Sequence, residues 1–486
     1  MHNLKGKAVR GGVAKLFGQA ATMTVRLVYL GIAARLLSPN DFGLVAMVTV
    51  VTGFFDLFTS AGLSLATVQR SEVTRQQISQ LFWVNILVGS LLALLCVVCA
   101  PFIAQFYRDP RLFWIMVALA PGFLLAASGV QHSALLQRDL RYPALSVIDA
   151  VSQFGGACVG VGMAWTGYGY WALVAGLMAT SALYTVGCWF ATGWLPGRPR
   201  LGVDIWPMVC FGGTVTLNGI VVYVGYNLEK VILGRFWGPD VLGVYTRAVQ
   251  LIGLPVNTIN ATVGGVFFSA LSRLQDDPTR FRSFFLKGYT LITAVTVPTT
   301  LFCALFADEI VRLVLGPGWA QAVPIFRLMT PTILVLGIIN PLFWVLASVG
   351  LQKRSLYVGL VLAPLVVVAC LLGLPYGPNG VALSYSTVMV LWLFPHVAWC
   401  LHGTPVSVRD LARAVAGPFV AGAVAAACAF LLLQGIGEGL SPLLRLAIGG
   451  ATMALVHGWI LLFVAGYRSL YASVIADLGR PAGAEA

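Results

Sequence analysis

The chain has 486 residues, 59% of them hydrophobic and only 10% charged, with a mean hydropathy of +0.88, whereas about a quarter of the residues in a soluble globular domain are charged. That composition excludes an ordinary water-soluble fold. A formal charge of +13 would suit a nucleic-acid binder, but no segment between the apolar stretches carries a basic run interleaved with aromatics, so nucleic acid is excluded as well.

Fourteen stretches of about twenty apolar residues run from Val13 to Gly466 with short loops between them. They cover residues 14–36, 43–67, 79–101, 112–133, 143–165, 170–191, 207–232, 241–268, 283–306, 322–347, 355–374, 379–401, 411–434 and 443–466. Each is long enough to cross a hydrocarbon core about 30 Å thick at 1.5 Å rise per residue. The first follows a basic N-terminus but is a full span long and lacks a small-residue cleavage site, so it reads as a membrane helix and not a signal peptide. With the N-terminus in the cytoplasm, 20 lysines and arginines face the cytoplasm, 6 face outside and 4 (Arg26, Lys230, Arg247, Arg327) lie within spans. This excess is the positive-inside pattern and places both termini in the cytoplasm. All nine cysteines fall within spans and read as small buried hydrophobes, including the pair Cys96 and Cys99.

The chain repeats itself. Arg35 to Leu44 after span 1 and Arg235 to Val244 after span 7 both read R-x3-P-x3-G, 200 residues apart. A second pair begins Tyr168-Gly169 before span 6 and Tyr376-Gly377 before span 12. An offset of six spans preserves orientation. The spacing therefore predicts parallel six-helix lobes at 1–200 and 201–405, and a helix pair with a cytoplasmic tail at 406–486. Parallel repeats recur in secondary transporters with the substrate site between the halves, so the expected fold is an all-α polytopic membrane protein around a central cavity that opens alternately to either side.

A charged side chain at a helix centre costs about 2.5 to 3.5 kcal/mol on insertion scales, and those that persist face the bundle interior, pair, or bind something. Lys15, Gln19, Thr22, Arg26 and Tyr29 recur at three or four residues along one face of span 1, with Arg26 near its midpoint. Span 2 carries Thr52, Asp56, Ser60, Ser64 and Thr67. Asp56 is deep enough either to pair with Arg26 or to serve a cavity. Glu229 and Lys230, adjacent near the outer end of span 7, point in different directions and need separate partners. Span 8 places Arg247, Gln250, Asn257 and Gly264 on one face. Asp149 and Arg327 lie near span ends and read as solvated. Gly264-Gly265 and Pro341 are the expected bends. His132, His396 and His457 are scattered over three spans without metal-ligand spacing and read as packing residues. No Walker A motif is present, so no nucleotide or other cofactor is expected.

Three segments carry a family resemblance: ARLLSPNDFGLVAM, then GFFDLFTSAGLSLATVQR (Gly53 to Arg70), then YNLEKVILGRFWGPDVLGVYTRAVQL (Tyr226 to Leu251). Over spans 1 to 12 the chain resembles the polysaccharide transporters of the multidrug/oligosaccharidyl-lipid/polysaccharide flippase superfamily, of the colanic-acid-exporter type. The resemblance implies a flippase that moves an undecaprenyl-diphosphate-linked oligosaccharide from the cytoplasmic to the periplasmic leaflet of a bacterial inner membrane, ahead of polymerisation and export. It implies membrane lipids and the polysaccharide polymerase or export machinery as neighbours. In related lipid flippases, cavity arginines on the first and eighth helices hold the diphosphate. By helix, these correspond to Arg26 and Arg247, with Gln19, Thr22 and Asn257 beside them. Asp56, Glu229 and Lys230 are left for ion coupling or pairing.

Two rival readings stand beside this one. A multidrug/cation antiporter of the same superfamily would want acidic residues in the cavity, against which Arg26 and Arg247 argue for an anionic ligand. A membrane polymerase or ligase would place catalytic residues on a large periplasmic loop, whereas the longest outside loop here is near Ala307 to Gln321. The expectation is a transporter and not an enzyme.

Overall fold

The computed structural model describes residues 2–60, 64, 67, 73–199, 206–436, 439–464 and 466–468, with side chains from residue 18 onward except at residues 20 and 60 and at scattered residues between 207 and 269. The side chains of Lys15 and Ser60, the surroundings of Gly265, the lobe boundary at residue 200 and the terminal Arg480 lie outside what is described. Among the described residues the regular elements are all helical.

In chain order they are α1 (His2–Leu36), α2 (Pro39–Ser60), α3 (Arg75–Tyr107), α4 (Arg111–Leu119), α5 (Pro121–Arg138), α6 (Tyr142–Trp165) and α7 (Tyr170–Thr192). There follow α8 (Trp206–Arg273), α9 (Pro278–Leu305), α10 (Ala307–Val314), α11 (Ala322–Met329), α12 (Pro331–Ser348), α13 (Gln352–Gly373), α14 (Gly377–Leu401), α15 (Val408–Ile436) and α16 (Pro442–Trp459). Three of them start on one device. Ser38 with Asp41, Thr74 with Gln77, and Ser407 with Asp410 each exchange side-chain and backbone hydrogen bonds three residues apart, satisfying amide donors that a helix leaves open at its N-terminus.

Ten helices among the described residues are long and apolar enough to cross a membrane, and one of these, Gln352–Leu401, takes in both span 11 and span 12. Spans 1, 7 and 8 are helical too, within α1 and α8. The long α8 is broken once, at Gly238 (φ 79°, ψ −179°), where span 7 gives way to span 8. Positive φ is a region in which glycine carries no Cβ penalty.

Corresponding spans share local features. Span 4 divides into α4 and α5 at Ala120-Pro121, and span 10 divides into α11 and α12 at Thr330-Pro331. In both, proline opens the second piece, where its missing N–H breaks no hydrogen bond. Gly169 just before α7 and Gly377 at the start of α14 both take positive φ, 53° and 72°. The helix runs unbroken through Gly264-Gly265 and Pro341. The interruption in span 10 instead falls ten residues before Pro341, because a proline at the start of a helix segment releases the chain without the clash that an interior proline makes.

The chain forms two compact units, Met1–Thr246 with Val314–Gly318, and Arg247–Leu313 with Trp319–Ala486. In the first, small residues let helices approach closely: Gly89 of α3 lies against the Phe123 carbonyl of α5, and Gly156 of α6 against Gly176 and Thr180 of α7, the kind of packing that holds helices together where lipid removes the hydrophobic drive between them. In the second, Phe281, Phe285 and Tyr289 of α9 pack with Leu342, Val345 and Leu346 of α12 and Val397 and Leu401 of α14. The outer surface is apolar. Trp165, Phe190, Leu372 and Leu455 are all more than two-thirds exposed, which suits hydrocarbon and not water.

Within the second unit an ion pair fastens α15 to α9. Arg282 of α9 donates to Asp410 through Nε (2.8 Å) and Nη2 (2.6 Å), while Asp410 also accepts from Ser407. This fork-to-carboxylate geometry is specific to arginine. Arg282→Ala is expected to lower the midpoint of thermal unfolding of the detergent-solubilised protein, and Arg282→Lys to restore only part of it. A midpoint equal to wild type in the alanine variant would show that the pair does not hold α15.

Candidate functional site

The polar stripe of α1 divides along its length. At about 100° per residue, Gln19 and Arg26 lie within about 20° of each other, and Thr22 and Tyr29 lie about 40° to 60° farther round the helix. Thr22 is buried and donates to Asp149 Oδ2 on α6 at 3.2 Å, and Tyr29 rests on Gly160 of α6. Gln19 and Arg26 are exposed. Among the described residues no carboxylate pairs with Arg26, and Asp56 in particular does not. Asp149, which had read as solvated, instead packs against the stripe, since helix α6 lies along that edge of α1.

On α2, Thr52 and Thr59 are buried while Asp56 is exposed. Helix α8 joins it here: Tyr223 Oη donates to the Val50 carbonyl at 2.8 Å and lies against Gly53. Farther along α8, Lys230 Nζ donates to Asn227 Oδ1 at 2.7 Å. Glu229 is buried, and its Oε2 has no hydrogen-bond partner among the described residues. The two neighbours thus do take separate surroundings. In the second unit, Arg247 is half-buried and donates to Gln250, Asn257 is exposed, and Gly264 packs on the Trp344 ring.

The repeated loops meet each other within the first unit. A Cβ on Gly43 would stand 1.7 Å from the Pro239 carbonyl oxygen, and a Cβ on Gly243 would stand 1.9 Å from that of Pro39. The glycine of each R-x3-P-x3-G motif therefore lies against the proline carbonyl of the other, in the range of Cα–H···O contact. Asn40 and Asp240, one residue past each proline, are hydrogen bonded (Nδ2 to Oδ2, 2.8 Å). Arg111 adds Nη1 to Asn40 Oδ1 at 3.2 Å and grips Asp109 through Nε and Nη2. That grip holds the Asp109 carboxyl below the usual carboxylate range.

The motif arginines diverge in role. Arg35 Nη1 donates to the carbonyls of Gly31 (2.7 Å) and Val314 (3.0 Å), whereas Arg235 lies over the Phe106 ring at 5.6 Å. Sequence spacing located both loops but not their meeting. Asn40 and Asp240 hold the same place in the motif, and that shared place is the signal by which their pairing could have been found.

The histidines take structural roles. His132 is bonded to the carbonyls of Ser128 and Trp194 and stacks on Trp189, His396 accepts from Trp392, and His457 reaches the Ala294 carbonyl.

The profile of the polysaccharide biosynthesis protein family matches residues 32–324. The chain belongs to that family. The matched region takes in the loop junction, Asp56, Glu229, Lys230, Arg247 and Asn257, while Gln19, Thr22 and Arg26 lie just before it. Over 399 residues the chain is 24% identical to the lipopolysaccharide biosynthesis protein WzxC of Escherichia coli (strain K12), covering 80% of each chain. Over 319 residues it is 27% identical to the teichuronic acid biosynthesis protein TuaB of Bacillus subtilis (strain 168), covering 63% of this chain and 64% of that one. Among solved structures it is similar to the lipid II flippase MurJ in an inward closed conformation, with a TM-score of 0.76 and 13% identity over 95% of this chain and 100% of that one. It is similar also to a multidrug resistance MATE family transporter of the MOP superfamily, with a TM-score of 0.66 and 12% identity over 83% and 99%. At such identities the likeness is one of fold.

Proposed function

We propose that the protein is a flippase that moves a lipid-linked oligosaccharide, joined to its polyprenyl carrier by a diphosphate, across the bacterial inner membrane by alternating access. The observation that carries the reading is Arg26: an exposed guanidinium in a membrane helix, with no carboxylate partner among the described residues, in a member of a polysaccharide biosynthesis family. A guanidinium's planar fork suits a diphosphate, and an unpaired one is available to it.

In this reading Arg26 and Arg247 each contact the anionic headgroup, with Gln19 and Asn257 contributing neutral hydrogen bonds. Thr22 supports α1 through Asp149. Segments 1–200 and 201–405 are the two repeats, 406–486 is an appended helix pair, and both termini are cytoplasmic. On the outer side the product passes to a polymerase or to export machinery. Asp56 and Glu229 are the acidic groups left to couple translocation to an ion. They also favour the second reading, a cation antiporter, which predicts transport of a cationic dye and none of a lipid-linked glycan.

The test is a deletion strain in which polyprenyl-linked repeat units are quantified and assigned to a leaflet with a membrane-impermeant probe. Accumulation in the cytoplasmic leaflet, relieved by the wild-type gene, is expected. Repeat units reaching the periplasmic leaflet at the normal rate without the protein would overturn the reading and move the function downstream.

A further inference from the structure

In the first unit, a cavity lined by two arginines lies where the end of α7 meets the start of α3. The loop after α7 folds back as a strap: Gly197 N donates to Ser79 Oγ at 3.0 Å, Trp83 Nε1 donates to the Gly197 carbonyl at 2.8 Å, and the Trp194 carbonyl bonds His132 Nε2 at 3.2 Å. Trp194 also lies against Phe82 and His132. Between strap and helix is a cavity of about 590 Å³, lined by Arg75, Gln76, Ser79, Thr192, Trp194 and Arg198 among others. Three hydrogen bonds and an aromatic cluster hold its walls, so the space does not depend on a ligand to form.

The arginines at this end of the unit fall into two kinds. Arg138 and Arg141 are committed, donating to the carbonyls of Thr67 (2.9 Å) and Ala191 (2.7 Å). Arg75 and Arg198 line the cavity, and no described carboxylate lies within ion-pair distance of either. Two guanidinium groups facing one space repel each other, and an anion between them relieves that repulsion. The cavity rim is apolar as well: Leu195 of the strap is 76% exposed and Trp83 is 38% exposed. An indole hydrogen bonded to the backbone at one end and bare at the other is typical of the membrane–water interface. A ligand suited to both features has a phosphate for the arginines and an acyl or prenyl chain to lie along the rim.

We propose that this cavity binds the phosphate headgroup of a membrane lipid through Arg75 and Arg198. The site is distinct from Arg26, and its cytoplasmic placement rests on the orientation read above. Two sources share the chemistry, a resident anionic phospholipid and the polyprenyl-diphosphate cargo before it enters the transporter.

Native mass spectrometry of the delipidated full chain, titrated separately with phosphatidylglycerol and with undecaprenyl diphosphate, tests the proposal. Loss of both guanidinium contacts in Arg75→Gln/Arg198→Gln is expected to weaken binding of at least one of the lipids about tenfold, with Arg75→Lys/Arg198→Lys intermediate. A loss confined to phosphatidylglycerol marks a resident lipid, and a loss confined to undecaprenyl diphosphate marks the cargo. Equal affinities in wild type and the glutamine variant for both lipids would overturn the proposal. Both side chains are exposed, so the variants are expected to elute as wild type in size exclusion. If wild type fails to relieve the leaflet accumulation while lipid binding still depends on Arg75 and Arg198, the transport reading falls and this site stands.

Discussion

Gly43→Ala is expected to abolish function and reduce the amount of folded protein in the membrane, and Gly243→Ala to do the same. Alanine in a helix ordinarily gains about 1 kcal/mol over glycine through propensity alone. Here the added methyl would stand 1.7 Å from the Pro239 carbonyl oxygen, or 1.9 Å from that of Pro39 in the reciprocal variant. The obstacle is backbone on both sides, so no flexible side chain turns away to make room. Overpacking of this kind costs about 1–3 kcal/mol and at times more, and a backbone obstacle puts these sites at the upper end, well beyond the propensity gain. Gly162→Ala in α6, where an added Cβ meets nothing within 4 Å, is the control and should match or exceed wild-type stability. Because Gly43 and Gly243 share one junction, the double variant should cost less than the sum of the two singles. Thermal midpoints in detergent together with complementation of the deletion strain measure this. Wild-type values for Gly43→Ala would mean that the two loops separate readily and that their close approach holds nothing.

Arg26→Ala is expected to do the opposite: full membrane accumulation and a normal thermal midpoint, with complementation lost. The side chain is exposed and makes no ion pair among the described residues, so its removal breaks no described contact. A guanidinium near a helix centre costs about 2.5–3.5 kcal/mol to insert, and deleting it should favour insertion. Stability kept while transport is lost separates a binding role from a packing role. Arg26→Lys keeps the charge without the planar fork and should retain partial complementation. Full complementation by the alanine variant would remove Arg26 from the site and leave the anionic-ligand reading without its main support.

These two predictions rest on different kinds of information. Arg26 stands out from sequence because one charge among some twenty apolar residues is conspicuous against a uniform background, and Glu229 and Lys230 stand out for the same reason. Loop repetition is likewise a sequence property, since R-x3-P-x3-G and the Tyr-Gly pairs recur at readable offsets. What could not be read was which edge of a stripe faces a neighbour. Thr22 and Arg26 share a helix face by periodicity, yet α6 takes Thr22 through Asp149 and leaves Arg26 open. Similarly, the sequence shows Gly43 and Gly243 only as the last residues of the repeated motif, and the structure shows each lying against the other motif's proline carbonyl.

The sequence by itself determined the solvent, the approximate span lengths, the unusual charges and the internal repetition, because hydropathy and spacing are local properties that each segment carries whatever surrounds it. The tertiary structure alone decided that Asp149 supports α1, that spans 4 and 10 divide at Pro121 and Pro331, that the repeated loops interlock, and that Arg75 and Arg198 share a cavity. Each of these depends on residues far apart in the chain being brought together or on how a helix is seated among its neighbours. In a membrane that seating follows from close packing and scarce polar contacts, because lipid supplies no hydrophobic drive between helices and hydropathy therefore says little about which faces meet.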